Sequence, residues 1–260
     1  MNKKNKYQEL CKKIAEHYSE NKNGLGWYKP CNEINLWTYW QGIGNYDTTK
    51  ILLVGQDWGD PEIDKYSSFK NKVIDINQNV FSNLKGTIMC EEYRMPTDNN
   101  MVELFSSIGY DILKNSLEEP KNKELFFTNL ILGYRTDKKF SGNFKNSWLD
   151  NTAKEFFSES VKLLNPKTIV CLGRRTYEGV LSALGVTTKW GITNFNNILD
   201  SGINFEDVVI EGNMIRVFAV AHCGGMGTAN RNRSKLYDEK TMNSLDLQKR
   251  DWKEIGNYLK

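Results

Sequence analysis

Three short stretches of this chain place polar side chains where a folded sheet would offer them to a ligand. The first, residues 51–62, reads ILLVGQDWGDPE: four apolar residues run into Gly55, and an amide and a carboxylate, Gln56 and Asp57, follow at once. A buried parallel strand that ends in glycine and a polar turn delivers side chains to the carboxyl edge of an α/β sheet, where ligands bind. The turn contains no Lys, Ser or Cys to act as nucleophile. It suits hydrogen-bond reading and the stabilisation of positive charge. The second stretch, residues 126–134 (FFTNLILGY), sets Asn129 mid-strand in an otherwise apolar run. A buried amide must find partners, so Asn129 is either structural glue or a reader of some ligand. The third, residues 217–234 (VFAVAHCGGMGTANRNRS), ends a strand on His222 before a glycine-rich loop. The only other histidine, His17, falls on a surface helix and is read as inert.

G-Q-D-x-G after a hydrophobic strand resembles the first motif of the uracil-DNA glycosylase superfamily. The FFTNLILGY stretch resembles the strand that presents that family's base-reading Asn, and the third stretch resembles the strand leading into its His-containing DNA-binding loop. Residues 165–181, NPKTIVCLGRRTYEGVL, are similar to a strand and helix lying between them in the same superfamily. The four segments occur in the family's order across roughly residues 45–235. The resemblance implies that Asp57 stabilises an oxocarbenium-like sugar and orients water, that His222 donates to the departing base, and that Asn129 reads the uracil edge with its paired donor and acceptor. Gln56 would line the base pocket. Phe69, with Tyr66 nearby, would supply its aromatic face. Two departures stand out. The uracil-specific branch continues its first motif with Pro-Tyr-His, the tyrosine blocking the methyl of thymine; here Trp58-Gly59-Asp60 follows, and only Trp58 has the bulk to crowd the pocket. The third motif normally reads His-Pro-Ser and here reads His222-Cys223-Gly224.

These residue types also match the reaction on chemical grounds. Breaking an N-glycosidic bond leaves positive charge on the sugar and negative charge on the base, so a carboxylate beside the sugar and a histidine donating to the base oxygen address both. A flipped base leaves a hole in the duplex, and Met226 is the apolar candidate to fill it. Arg231, Arg233 and Lys235 follow in a segment without acids and are the candidate phosphate contacts. A second basic loop, residues 135–145, carries Arg135, Lys138, Lys139 and Lys145 against Asp137.

The elements that must position these residues follow from hydrophobic periodicity. Strands are expected at residues 50–54, 125–132, 168–172 and 214–221, with a further strand or hairpin near 205–211. Amphipathic helices are expected at 6–20 (Leu10, Ile14, Tyr18), 99–113 (Met101, Leu104, Phe105, Ile108, Ile112), 150–164 (Phe156, Phe157, Val161, Leu164), from Gly173 through 184, and a closing helix at 245–259, with a short one near 72–79. Residues 27–45 read as an aromatic cap, and 187–200 as a loop or insertion around Trp190. Buried strands alternating with helices predict an α/β fold: a three-layer α/β/α sandwich on a largely parallel sheet of about four strands. The Gly173–Arg174 junction lacks both glycine-rich phosphate-binding patterns, which disfavours a dinucleotide or P-loop site.

The 260 residues, 39% apolar and 12% aromatic, suit one domain over 1–260, with 1–45 as N-terminal helix and cap and 236–260 as the C-terminal closure. No apolar run approaches the roughly 20 residues that span a bilayer, and the basic N-terminus lacks a signal core, so a cytoplasmic monomer with no membrane partner is expected. The five cysteines, Cys11, Cys31, Cys90, Cys171 and Cys223, include no close pair, so neither disulfides nor an iron–sulfur cluster is expected. No metal or cofactor is called for; the partner is DNA carrying a flipped base. A net charge of +3 neither requires nor excludes it. The competing expectations are a non-catalytic nucleic-acid or nucleobase binder on the same fold, and a different α/β enzyme acting on free nucleosides.

Overall fold

In the computed structural model, which describes residues 2–20, 23–26, 46–57, 96–114, 119–136, 142–191 and 193–260, the apolar runs become strands. Four of them are β2 (Ile51–Gly55), β3 (Leu125–Asn129), β5 (Thr168–Leu172) and β7 (Asn213–Val220), numbered with β1 (Leu25–Gly26), β4 (Tyr134–Arg135) and β6 (Phe205–Ile210) in chain order. The larger sheet has the order β3-β2-β5-β7-β6. Its first four strands are mutually parallel, and β6 joins antiparallel to β7. Among the described residues the larger sheet therefore has five strands, not about four. The extra strand is the expected 205–211 hairpin arm. Ile210 pairs with Asn213 across a two-residue turn in which Glu211 (φ 51°) and Gly212 (φ 81°) both have positive φ, as a tight hairpin requires. A separate two-stranded sheet pairs β1 with β4.

Side-chain alternation splits the core in two. Leu52, Val54, Phe126, Ile169, Cys171, Val217 and Ala219 pack with α1 (Lys3–His17), α3 (Asn151–Leu164) and α4 (Arg174–Ala183). Ile51, Leu53, Leu125, Phe127, Val170, Leu172, Phe218 and Val220 pack with α2 (Pro96–Ser107) and α7 (Asp246–Leu259). Helices thus cover the sheet on both sides, and the strands are apolar on both faces for that reason. The helix ends follow local chemistry. Asp150 caps α3 by accepting from the Ala153 amide at 2.9 Å, and Asn165 ends it in the left-handed region (φ 49°) just before Pro166.

Two segments expected as loops contain short helices, α5 (Phe195–Ser201) and α6 (Gly225–Arg231). Their Asn- and Gly-rich sequences have little helix propensity, and tertiary anchoring holds them instead. The expected helix near 72–79, the aromatic cap at 27–45, and Trp58, Tyr66, Phe69, Lys138 and Lys139 lie outside the described residues. Among the described residues no helix is long and apolar enough to cross a membrane.

Candidate functional site

Four parallel strands end at one edge, so the polar residues that follow them share it. Gly55 and Asn129 are register partners at the ends of β2 and β3. Asn129 is the last residue of its strand, not a mid-strand residue: beyond it Leu130 N donates to Gly55 O at 2.9 Å and Ile131 N to Gln56 O at 3.0 Å, which draws the chain along the β2 turn. A Cβ on Gly55 would stand 2.2 Å from Asn129 Oδ1, so only glycine leaves room for this amide. Asn129 is 2% exposed, and its Nδ2 has no hydrogen-bond partner among the described residues. A buried donor left unpaired costs roughly 1–3 kcal/mol, which makes Asn129 a strong position for an incoming acceptor.

Asp57 is held by charge. Arg135 Nε donates to Oδ1 at 2.8 Å and Nη2 to Oδ2 at 2.7 Å, with the two side chains 2% (Arg135) and 5% (Asp57) exposed. Gln56 Nε2 adds a third bond, to Oδ2 at 2.8 Å, and both Gln56 Nε2 and Arg135 Nη2 donate to Gly142 O at 2.6 Å. The guanidinium lies 4.9 Å from the Trp148 ring. The geometry fixes the Asp57 carboxylate rigidly and compensates its charge. It also engages the Gln56 amide nitrogen inside the protein, so that nitrogen is committed to Asp57 and Gly142. Arg135, expected on a solvated basic loop, is instead buried against Asp57; Lys145 of the same loop is exposed.

At the β7 end, the Gly224 amide donates to His222 Nδ1 at 2.9 Å, which assigns the ring proton to Nε2 and leaves a neutral donor. His222 is exposed, with its ring against Gly224 and its backbone and Cβ against Gly227. The surrounding protein disfavours the charged form and holds the pKa below its usual range, and the accepted hydrogen bond at Nδ1 acts in the same direction. Between β2 and β7 lies the end of β5. There, among the described residues, nothing lies within 4 Å of where a Cβ on Gly173 (φ 94°) would sit. The Asp57 and His222 turns lie two strand spacings apart, about 10 Å. The arginines after Gly173 are engaged: Arg174 with Glu178 and the Thr193 and Gly191 carbonyls, Arg175 with Phe144 O and Asn146 Oδ1.

No protein-family model and no curated protein matches the chain.

The candidate DNA contacts divide. Met226 is 84% exposed at the start of α6, and Arg233 and Lys235 are exposed beyond its end. Arg231 is corrected: its side chain is 0% exposed and pairs with Asp251 through Nε (2.7 Å) and Nη2 (2.9 Å) and with Asp200 through Nη1 (2.8 Å). It ties α6 to α5 and α7 and offers nothing to a phosphate. Cys11, Cys171 and Cys223 are buried, and among the described residues no cluster of three or more His, Cys, Asp or Glu could hold a metal. Two concavities, about 630 Å³ between α1 and α3 and about 670 Å³ beside β6, are lined by none of the edge residues.

Sequence reasoning missed Arg135 as the partner of Asp57, because nothing local links residues 78 positions apart. It also missed Gln248, which is 1% exposed and bonded to the His222 backbone. A signal for Gln248 was present: it lies in line with Trp252 and Ile255 on the apolar stripe of the closing helix, where a polar residue requires a partner.

Proposed function

We propose that this chain is a DNA glycosylase of the uracil-DNA glycosylase superfamily, a monofunctional hydrolase that removes uracil or a related damaged base. The observation that carries the reading is one edge holding three complementary groups: the Asn129 donor, unpaired among the described residues, the neutral Nε2–H donor of His222, and the carboxylate of Asp57. The three-layer α/β/α sandwich is the architecture this reading assumes, and helices on both faces of the sheet favour it.

In the reaction, the flipped base lies with a carbonyl oxygen at Asn129 Nδ2. The C1′–N bond breaks, its electron pair leaves with the base, and the His222 donor stabilises the anion. Water adds at C1′, and its proton passes to Asp57 and on to solvent. Because Arg135 and Gln56 hold the carboxylate, Asp57 contributes more to orienting this water than to opposing the sugar's positive charge. Met226 fills the vacated stack, and Arg233 and Lys235 meet phosphates. The partner is DNA, the protein acts as a monomer in the cytoplasm, and the process served is base excision repair.

A second reading, a nucleobase or nucleic-acid binder without catalysis, is favoured by the same Asp57–Arg135 pair, since a compensated carboxylate stabilises a cation poorly. A uracil-containing oligonucleotide incubated with the protein and then treated with alkali separates the two. Strand breakage supports excision. Binding without breakage supports the binder, and release of base from free nucleosides alone would overturn both.

A further inference from the structure

Gln248 on α7 has no part in the chemistry above, yet its side chain is placed to govern it. Its Nε2 donates to Ala221 O and to His222 O, each at 3.2 Å, and its Oε1 accepts from Thr228 Oγ1 at 2.9 Å. Thr228, on α6, in turn accepts from Asn100 Nδ2 at 3.4 Å, and the same Asn100 nitrogen donates to Cys223 O at 2.6 Å. The chain is directional. Asn100 donates to Thr228, Thr228 donates to Gln248, and Gln248 donates to backbone. Reversing the Gln248 amide would set its oxygen against two carbonyls and its NH₂ against the Thr228 hydroxyl, so the network admits one orientation. Three successive carbonyls, at 221, 222 and 223, are thereby pinned by side chains from α7 and α2. Gly227 closes the turn from the other side, where a Cβ would stand 2.0 Å from His222 O.

We infer that Gln248 is a positioning residue for His222: by holding the carbonyls of residues 221 and 222 it sets the backbone on which the Gly224 amide reaches Nδ1, and so fixes the tautomer and direction of the Nε2–H donor. Its catalytic consequence rests on the proposed glycosylase chemistry; its structural consequence does not. A side chain that only filled core space would leave the imidazole tautomer untouched. Gln248 instead acts through the loop that presents the ring, and a misplacement of about 1 Å is enough to slow a reaction about 100-fold.

The test uses Gln248→Met, which preserves volume and removes all three hydrogen bonds. The chain has only two histidines, so ¹⁵N spectra in a His17→Gln background report His222 alone. At a pH where the ring is neutral, the unsubstituted loop is expected to give a dominant Nε2–H signature, and Gln248→Met a mixture of both tautomers. Single-turnover base release should fall about 10- to 100-fold while DNA affinity stays within about twofold. An unchanged tautomer signature in Gln248→Met overturns the inference. If that variant does not fold, Thr228→Val removes both hydrogen bonds of the Thr228 hydroxyl at nearly constant volume, and an unchanged signature there overturns it equally. If the unsubstituted protein releases no base, the proposed function falls, and the tautomer measurement still decides the role of Gln248.

Discussion

At the β2 end of the edge a charge is held by a charge; at the β7 end a neutral ring is held through its backbone. Asp57 is buried, locked by Arg135 and Gln56, and its geometry depends on an ion pair between residues far apart in the chain. His222 reaches solvent, and beneath it lies a polar scaffold of buried Gln248 and Thr228 with half-buried Asn100. The first arrangement fixes an acceptor but compensates its charge. The second fixes a donor and leaves it available. The edge is therefore better prepared to stabilise a departing anion than a developing cation, so the proposed reaction leans on His222 more than on Asp57.

The two buried arginines sharpen that contrast and give the largest expected effect. Arg231 joins Asp251 and Asp200 beneath the His222 loop, as Arg135 joins Asp57 at the other end. Removing one partner of a buried pair leaves an uncompensated charge, so Arg231→Met should lower the unfolding free energy by about 3–5 kcal/mol in urea titration. Arg233→Ala, two residues on and exposed, should stay within about 0.5 kcal/mol. Equal costs at the two positions would mean that Arg231 is not the anchor of α6.

Base release comes next in size. His222→Ala should slow single-turnover excision by about 100-fold or more with little loss of stability, because the ring is exposed and its scaffold is intact. Asp57→Asn should slow it too, and should also destabilise the fold by orphaning Arg135. The double change Asp57→Leu with Arg135→Met separates these effects, since an apolar pair of similar volume can replace a buried ion pair at little cost. Recovered stability without recovered excision assigns Asp57 a chemical role. Recovered excision as well would reduce it to structure and favour the binding reading.

The parallel order of the strands was legible in the sequence because apolar runs, glycine and polar turns are local signals. Asp57 and His222 reach one edge as a direct consequence. What stayed hidden was the partner of each polar residue. Asp57 and Arg231 looked alike in sequence, charged residues in polar turns, and nothing local separated a reader of ligands from a member of a buried pair. Helix α6 was hidden for a related reason: Gly225, Gly227 and Asn230 argue against a helix, and the ion pairs of Arg231 that hold it are long-range. The end of β3 at Asn129 was likewise set across strands, by Gly55 rather than by any feature of its own run.

A smaller effect concerns the exposed cations that remain. With Arg231 committed to carboxylates, Arg233 and Lys235 remain as the exposed cations of this loop, the candidate phosphate contacts of the proposed function. On duplex DNA each lost contact should flatten the salt dependence of binding by about 0.9 in the log–log slope, so the double Ala variant should lose nearly 2. Base preference should be unchanged. An unaltered slope would place the DNA on another surface.

The smallest effect is a pH dependence confined to His222. Its folded-state pKa lies below the ordinary value of about 6.5, because the packed loop disfavours the charged ring. Between those two values the unfolded chain binds the proton and the folded protein does not, so the unfolded state carries more protons and stability rises with pH. As pH falls from about 6.5 towards the folded pKa, the protein should therefore lose stability through this residue, and His222→Asn should remove that part of the slope in urea titrations. The same depression keeps the ring neutral, with Nε2–H as its donor, at pH values where an ordinary histidine would already be charged. Base release should therefore hold its plateau to lower pH than an unperturbed imidazole allows. Loosening the loop through Gln248→Met should move the end of that plateau upward, toward the ordinary histidine range. A plateau that ends at the ordinary value in the unsubstituted protein would mean that the loop orients the ring without desolvating it.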